Sequence, residues 1–273
     1  MTRLERPSMT EFTSPGVSVG DRDGDLDRRV REAGRTGFAA VGLRLHPVQP
    51  GARAYPVAQG SQAMVELKAV MAGEGVQVAD IEFVALTPAF QVADCEALLA
   101  AGAELGAQSL TVSGDDPDHA RLTQRFAALC ELASGYGLRV DLEFMRWRPV
   151  ATLQHALAVV MAAGQGNSGV LLDALHLFRS GGDVAALAGV DPGYLRAVQL
   201  CDAPRLAPVD ALIIQEAREG RLLPGQGQLP LAPLLGALPV DVQISVETPT
   251  RQHAGKQNVR RAYDATCSWL ACL

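Results

Sequence analysis

Val140-Asp141-Leu142-Glu143-Phe144 sets a carboxylate near the end of an apolar run, and Val170-Leu171-Leu172-Asp173 repeats the pattern. Ala197-Val198-Gln199-Leu200 and Ile244-Ser245-Val246-Glu247-Thr248 repeat it again, with an amide and a second glutamate. Successive side chains of a strand point to opposite faces. Val140/Leu142, Val170/Leu172, Val198/Leu200 and Val246 therefore share one face, and Glu143, Asp173, Gln199 and Glu247 the other. Strands that are apolar towards a helix layer and end with a polar residue on the other face fit a closed parallel barrel, whose functional groups sit at the strands' C-terminal ends.

The rest of the chain has the rhythm such a barrel needs. Strands are expected at Gly16–Gly20, Ala39–Leu45, within Val76–Leu86, and at Ser109–Ser113, Leu138–Phe144, Gly169–Leu175, Leu195–Leu200 and Val240–Val246. Helical spacing covers Leu26–Gly34, Gln59–Met71, Ala93–Leu105, Asp118–Ala133, Thr152–Ala163, Val184–Leu187, Asp210–Arg218, Pro230–Leu238 and Asn258–Leu270. Alternation of this kind implies parallel strands joined by right-handed crossovers. Eight such units within 273 residues predict one (β/α)8 TIM barrel over residues 17–273, behind a polar leader at residues 1–16. An open doubly wound sheet is the competing architecture. Gly164-Gln165-Gly166-Asn167-Ser168-Gly169 matches a dinucleotide fingerprint, but it follows a helix and precedes a strand, the reverse of what phosphate cradling requires.

Composition narrows the function. With 24 Lys+Arg against 30 Asp+Glu the net charge is −6, opposite to the basic footprint of a nucleic-acid binder. No apolar run approaches the ~20 residues of a membrane span, and no secretory signal is visible at the N-terminus. Cys95, Cys130, Cys201, Cys267 and Cys272 show no Cys-x-x-Cys spacing, which fits a reducing cytoplasm.

Glu143, Asp173, Gln199 and Glu247, on consecutive strands, converge on one point. Three carboxylates packed together require a counter-charge, which a divalent cation supplies. Oxygen donors favour Mn²⁺ or Mg²⁺ over Zn²⁺.

Leu142-Glu143-Phe144, Leu172-Asp173-Ala174-Leu175-His176, Val198-Gln199-Leu200-Cys201-Asp202 and Ser245-Val246-Glu247 together resemble the xylose isomerase-like TIM-barrel superfamily. Leu223-Pro224-Gly225-Gln226-Gly227-Gln228-Leu229 resembles the Pro-Gly-x-Gly loop that these proteins carry between strands seven and eight. The resemblance implies that Glu143, Asp173, Gln199 and Glu247 bind the metal and that His176 contacts substrate oxygens. It also implies a substrate contact for Arg205, six positions past Gln199. Arg146, Trp147 and Arg148, just past Glu143, are candidates to line the mouth.

The implied activity is isomerisation or epimerisation of a sugar or sugar phosphate. Glu143 and Glu247 would abstract and return a proton next to a carbonyl, through an enediolate. The alternative is dehydration of a cyclic polyhydroxy ketone, with His176 as acid. Gln199 in place of the family's common His resembles the dehydroshikimate dehydratases. The segment Met145-Arg146-Trp147-Arg148-Pro149 also lacks the extra carboxylate of the epimerases. A three-zinc DNA-repair nuclease of the same superfamily would need ligands from His46, His119, His155, His176 and His253, of which only His176 lies on a strand-end motif. The expected partner is a small polyhydroxy carbonyl compound. Barrels of this superfamily are often dimers or tetramers, so the resemblance leaves a homo-oligomer open.

Overall fold

The computed structural model describes residues 8–10, 25–47, 57–249 and 256–273. Eight parallel strands close into a barrel in sequence order. They are β1 (Ser8–Thr10), β2 (Ala40–Arg44), β3 (Gln77–Leu86), β4 (Ser109–Gly114), β5 (Arg139–Glu143), β6 (Ser168–Asp173), β7 (Ala197–Leu200) and β8 (Gln243–Val246). Closure is made by β1, which pairs with β2 on one side and β8 on the other. This barrel strand lies inside the stretch read as a polar leader, at residues 1–16. Its residues, Ser-Met-Thr, have too little apolar character to read as a strand; pairing with two neighbours supplies what local propensity lacks. The strand expected at Gly16–Gly20 lies outside the described residues.

The helices are α1 (Asp25–Thr36), α2 (Gln62–Glu74), α3 (Glu96–Leu105), α4 (His119–Ser134), α5 (Leu153–Ala163), α6 (Ala174–Arg179), α7 (Ile213–Glu219), α8 (Leu231–Gly236) and α9 (Lys256–Leu270). Their starts follow from the sequence where a side chain can cap. Ser61, Asp118 and Thr152 each accept a backbone N–H three residues on, at the mouths of α2, α4 and α5. Helix α6 corrects the expected strand Gly169–Leu175. The Asp173 carboxylate accepts the His176 N–H at 2.8 Å and so ends β6 while it begins the helix.

The hydrophobic core is the shell between strands and helices, where Leu110, Val140, Leu142, Val170, Leu172, Val198 and Leu200 are fully buried. The barrel axis departs from the usual filling of bulky apolar side chains. Asp80, Ser109, Thr111, Asp141, Gln199 and Ser245 line a small cavity there, together with Leu171 and Ala197. Thr111 Oγ1 donates to Asp80 Oδ2 at 3.1 Å, and Arg139 Nη2 donates to Asp141 Oδ1 at 2.8 Å. These bonds satisfy groups that would otherwise be costly to bury.

Candidate metal centre

The barrel brings the four strand-end residues together as their alternation requires. Glu143 ends β5, Asp173 ends β6, Gln199 lies in β7 and Glu247 follows β8; none is more than 5 % exposed. Register sets them side by side, with Asp173 opposite Gln199 and Gln199 opposite Ser245. His176, in the first turn of α6, turns back so that its Nε2 lies 3.5 Å from Glu143 Oε1. Donor atoms of Glu143, Asp173 and His176 all fall within 4.8 Å of one another.

A cation that the sequence reading did not single out completes the cluster. Arg221 Nη1 lies 2.5 Å from Asp173 Oδ2 and 3.3 Å from Glu247 Oε2, with its side chain only 2 % exposed. Its Nε donates to Ala217 O at 2.8 Å. The bridge between Asp202 and Leu222 ties this segment back to the end of β7, and with it the neighbouring Arg221. The only local signal was a lone arginine just before the Leu-Leu-Pro-Gly loop. Arg205, expected near the substrate oxygens, is exposed, and its backbone N–H donates to Gln228 Oε1 at 3.3 Å.

The electrostatics follow from this packing. Burial raises Glu143 well above the usual carboxylate range, and the charges of Glu247 and Asp173 push it further. Glu247 is raised for the same first reason, with Arg221 opposing and Asp173 reinforcing. Burial would also raise Asp173, but Arg221 and His176 outweigh it and hold that carboxyl low. Burial, with the Arg221 charge added, lowers His176 to about 4, so its imidazole is neutral at pH 7.

The residues fit a divalent ion. Gln199 Oε1 is buried with no hydrogen-bond partner, a cost that metal ligation would relieve, and Glu247 Oε2 makes no hydrogen bond beyond its ion pair with Arg221. Three carboxylates and an amide supply the hard oxygen donors that Mn²⁺ and Mg²⁺ take, and His176 adds a nitrogen within reach. Trp147 packs its ring edge-on against His176, with centroids 5.1 Å apart. Arg146 instead pairs with Asp210 and Arg148 with Asp115, which makes them braces of the rim. Of the other histidines, His119 and His155 meet edge to face and His46 is exposed, while His253 lies outside the described residues.

A closed eight-stranded parallel barrel with an acidic cluster at its C-terminal mouth defines a candidate metal-dependent TIM-barrel enzyme. The xylose isomerase-like TIM barrel family matches residues 30–271, and the chain belongs to that family. Two curated relatives are 3-dehydroshikimate dehydratases. The one from Pseudomonas aeruginosa is 36% identical over 117 residues, 42% of this chain and 18% of its own length. The one from Pseudomonas putida is 32% identical over 149 residues, 50% of this chain and 23% of its own length. The chain thus matches under a quarter of either relative. Among solved structures, the IolI protein with a bound zinc atom superposes with a TM-score of 0.73 at 17% identity, covering 92% of this chain and 94% of that one. This likeness is one of fold. Among the described residues, no helix is long and apolar enough to cross a membrane.

Proposed function

We propose that the protein is a divalent-metal-dependent dehydratase of a cyclic polyhydroxy ketone such as 3-dehydroshikimate. The observation that carries this reading is the unequal surroundings of the two glutamates. Glu143 has a neutral imidazole 3.5 Å away, whereas Glu247 has the Arg221 guanidinium at 3.3 Å. Epimerisation needs two comparable bases on opposite faces of the substrate. Elimination needs one base and one proton donor close together.

Glu143, Asp173, Gln199 and Glu247 would hold the ion, with the His176 imidazole beside Glu143 and left free for the proton. When bound, such an ion polarises a carbonyl and stabilises the negative charge that develops beside it. Glu143 takes the proton from the carbon next to the carbonyl. That proton passes to His176 Nε2, and the imidazolium then gives it to the departing β-hydroxyl, so the substrate loses one water and gains a double bond. Trp147, packed against the imidazole, would restrict its orientation. The two curated relatives support this choice by their activity, and Gln199 supports it as the amide donor.

Substituting His176 by Asn tests the assignment. Dehydration by the Mn²⁺-loaded variant should fall by about 10²- to 10⁴-fold. Undiminished dehydration would remove His176 from the proton path.

A further inference from the structure

Arg221 is a permanent cation inside a cluster of anions, and its charge has a consequence for which ion the centre takes. As ligands, Glu143, Asp173 and Glu247 bind in their ionised form. Three carboxylates and the one guanidinium that contacts two of them leave a net charge of minus two, and the largely buried Arg44–Glu82 ion pair beside them is the same in every variant considered below. Gln199 is uncharged and His176 ligates a metal only as the neutral imidazole, so neither changes that count. The guanidinium is itself locked, held by Asp173 Oδ2, Glu247 Oε2, Ala217 O and Cys201 Sγ. It therefore has little freedom to withdraw when an ion arrives.

We propose that Arg221 is a specificity-determining residue that sets the charge of the centre at minus two, matching it to a divalent ion and against a trivalent one. The proposal rests on the metal-centre reading, and it does not depend on which reaction the site performs. Without Arg221 the same oxygen ligands would carry minus three. In a buried, weakly screened site each unit of charge weighs heavily on ion affinity.

The test compares binding of Mn²⁺ and Tb³⁺ in the full chain, Mn²⁺ by calorimetry and Tb³⁺ by its sensitised luminescence. Relative to wild type, Arg221→Met should shift the affinity ratio in favour of Tb³⁺ by about tenfold or more. Arg221→Lys, which keeps the charge, should retain the wild-type ratio. The double variant Arg221→Met with Glu247→Gln returns the count to minus two and should also return the ratio, and it carries the test if the single variant does not fold. An unchanged ratio in Arg221→Met, or a shifted one in the double variant, overturns the proposal. So does a parallel loss of affinity for both ions, the mark of a residue that only orients Asp173. Mn²⁺ binding by the wild type tests the centre itself, whereas the ratio tests Arg221; a wild type that binds neither ion defeats both.

Discussion

Glu143 and Glu247 are the same residue type at equivalent strand ends, yet their neighbours differ, and the proposed dehydration makes Glu143 alone the base. Glu143→Gln keeps an oxygen donor but loses the base. Mn²⁺ should still bind, while turnover falls by about 10²- to 10⁴-fold, which calorimetry and a dehydration assay would separate. Trp147→Ala removes the ring that packs on His176. It should lower kcat and spare Mn²⁺ affinity, and Trp147→Phe should restore most of the rate. Of the residues now grouped at the mouth, Glu143, Asp173, Gln199 and Glu247 were legible because alternation along a strand fixes which face each takes, whereas His176, in α6, was indicated only by the family resemblance. Arg221 was not legible. An arginine's reach depends on where its loop is anchored, and the anchor, the bridge between Asp202 and Leu222, exists only in the folded chain. Counting six residues from Gln199 leads instead to the exposed Arg205.

The loop that carries Arg221 to the centre is organised by one side chain. Asp202 Oδ1 accepts the N–H groups of Ala203 and Leu229, and Oδ2 accepts that of Gly225. Gly225 adopts φ +82, and a Cβ on Gly227 would meet Asp202 Oδ1 and lie 2.5 Å from Ala203 O. These contacts explain the glycines of the Pro-Gly-Gln-Gly stretch physically: one needs the left-handed turn, and the other needs to have no side chain. Asp202→Ala should cost about 3 kcal/mol in urea unfolding, because three amides lose a charged acceptor. Gly227→Ala should weaken Mn²⁺ binding as well as lower Tm. Helix α6 shows the limit of reading elements from pattern. Ala174-Leu175 continues the apolar run of β6, and only the Asp173 cap, a tertiary choice of rotamer, turns the chain into a helix.

At the scale of the molecule, length and alternation pointed to the closed barrel, and the structure has it in sequence order. The polar axis was hidden because Asp80 and Thr111 sit in strands that read as ordinary buried runs and their bond joins two strands, whereas Asp141 pairs with Arg139 on the same face of its own strand. Burial is the largest influence on Asp80 and raises it to about 6. The folded state therefore holds that proton more tightly than the unfolded chain. The resulting stabilisation is complete below about pH 3.8 and is lost as pH rises through about 6. Asp80→Asn should remove this dependence: between pH 4 and 7 in urea unfolding, wild type should lose up to about 3 kcal/mol relative to the variant. The proposed activity needs a barrel that holds a divalent ion and removes water from a cyclic polyhydroxy ketone. Proton NMR in D₂O of the Mn²⁺-loaded protein with 3-dehydroshikimate tests it most directly. The account predicts loss of the substrate signals to a dehydrated, conjugated product, abolished by chelation and by Glu143→Gln. Deuterium appearing in recovered or isomerised substrate with no loss of water would contradict it.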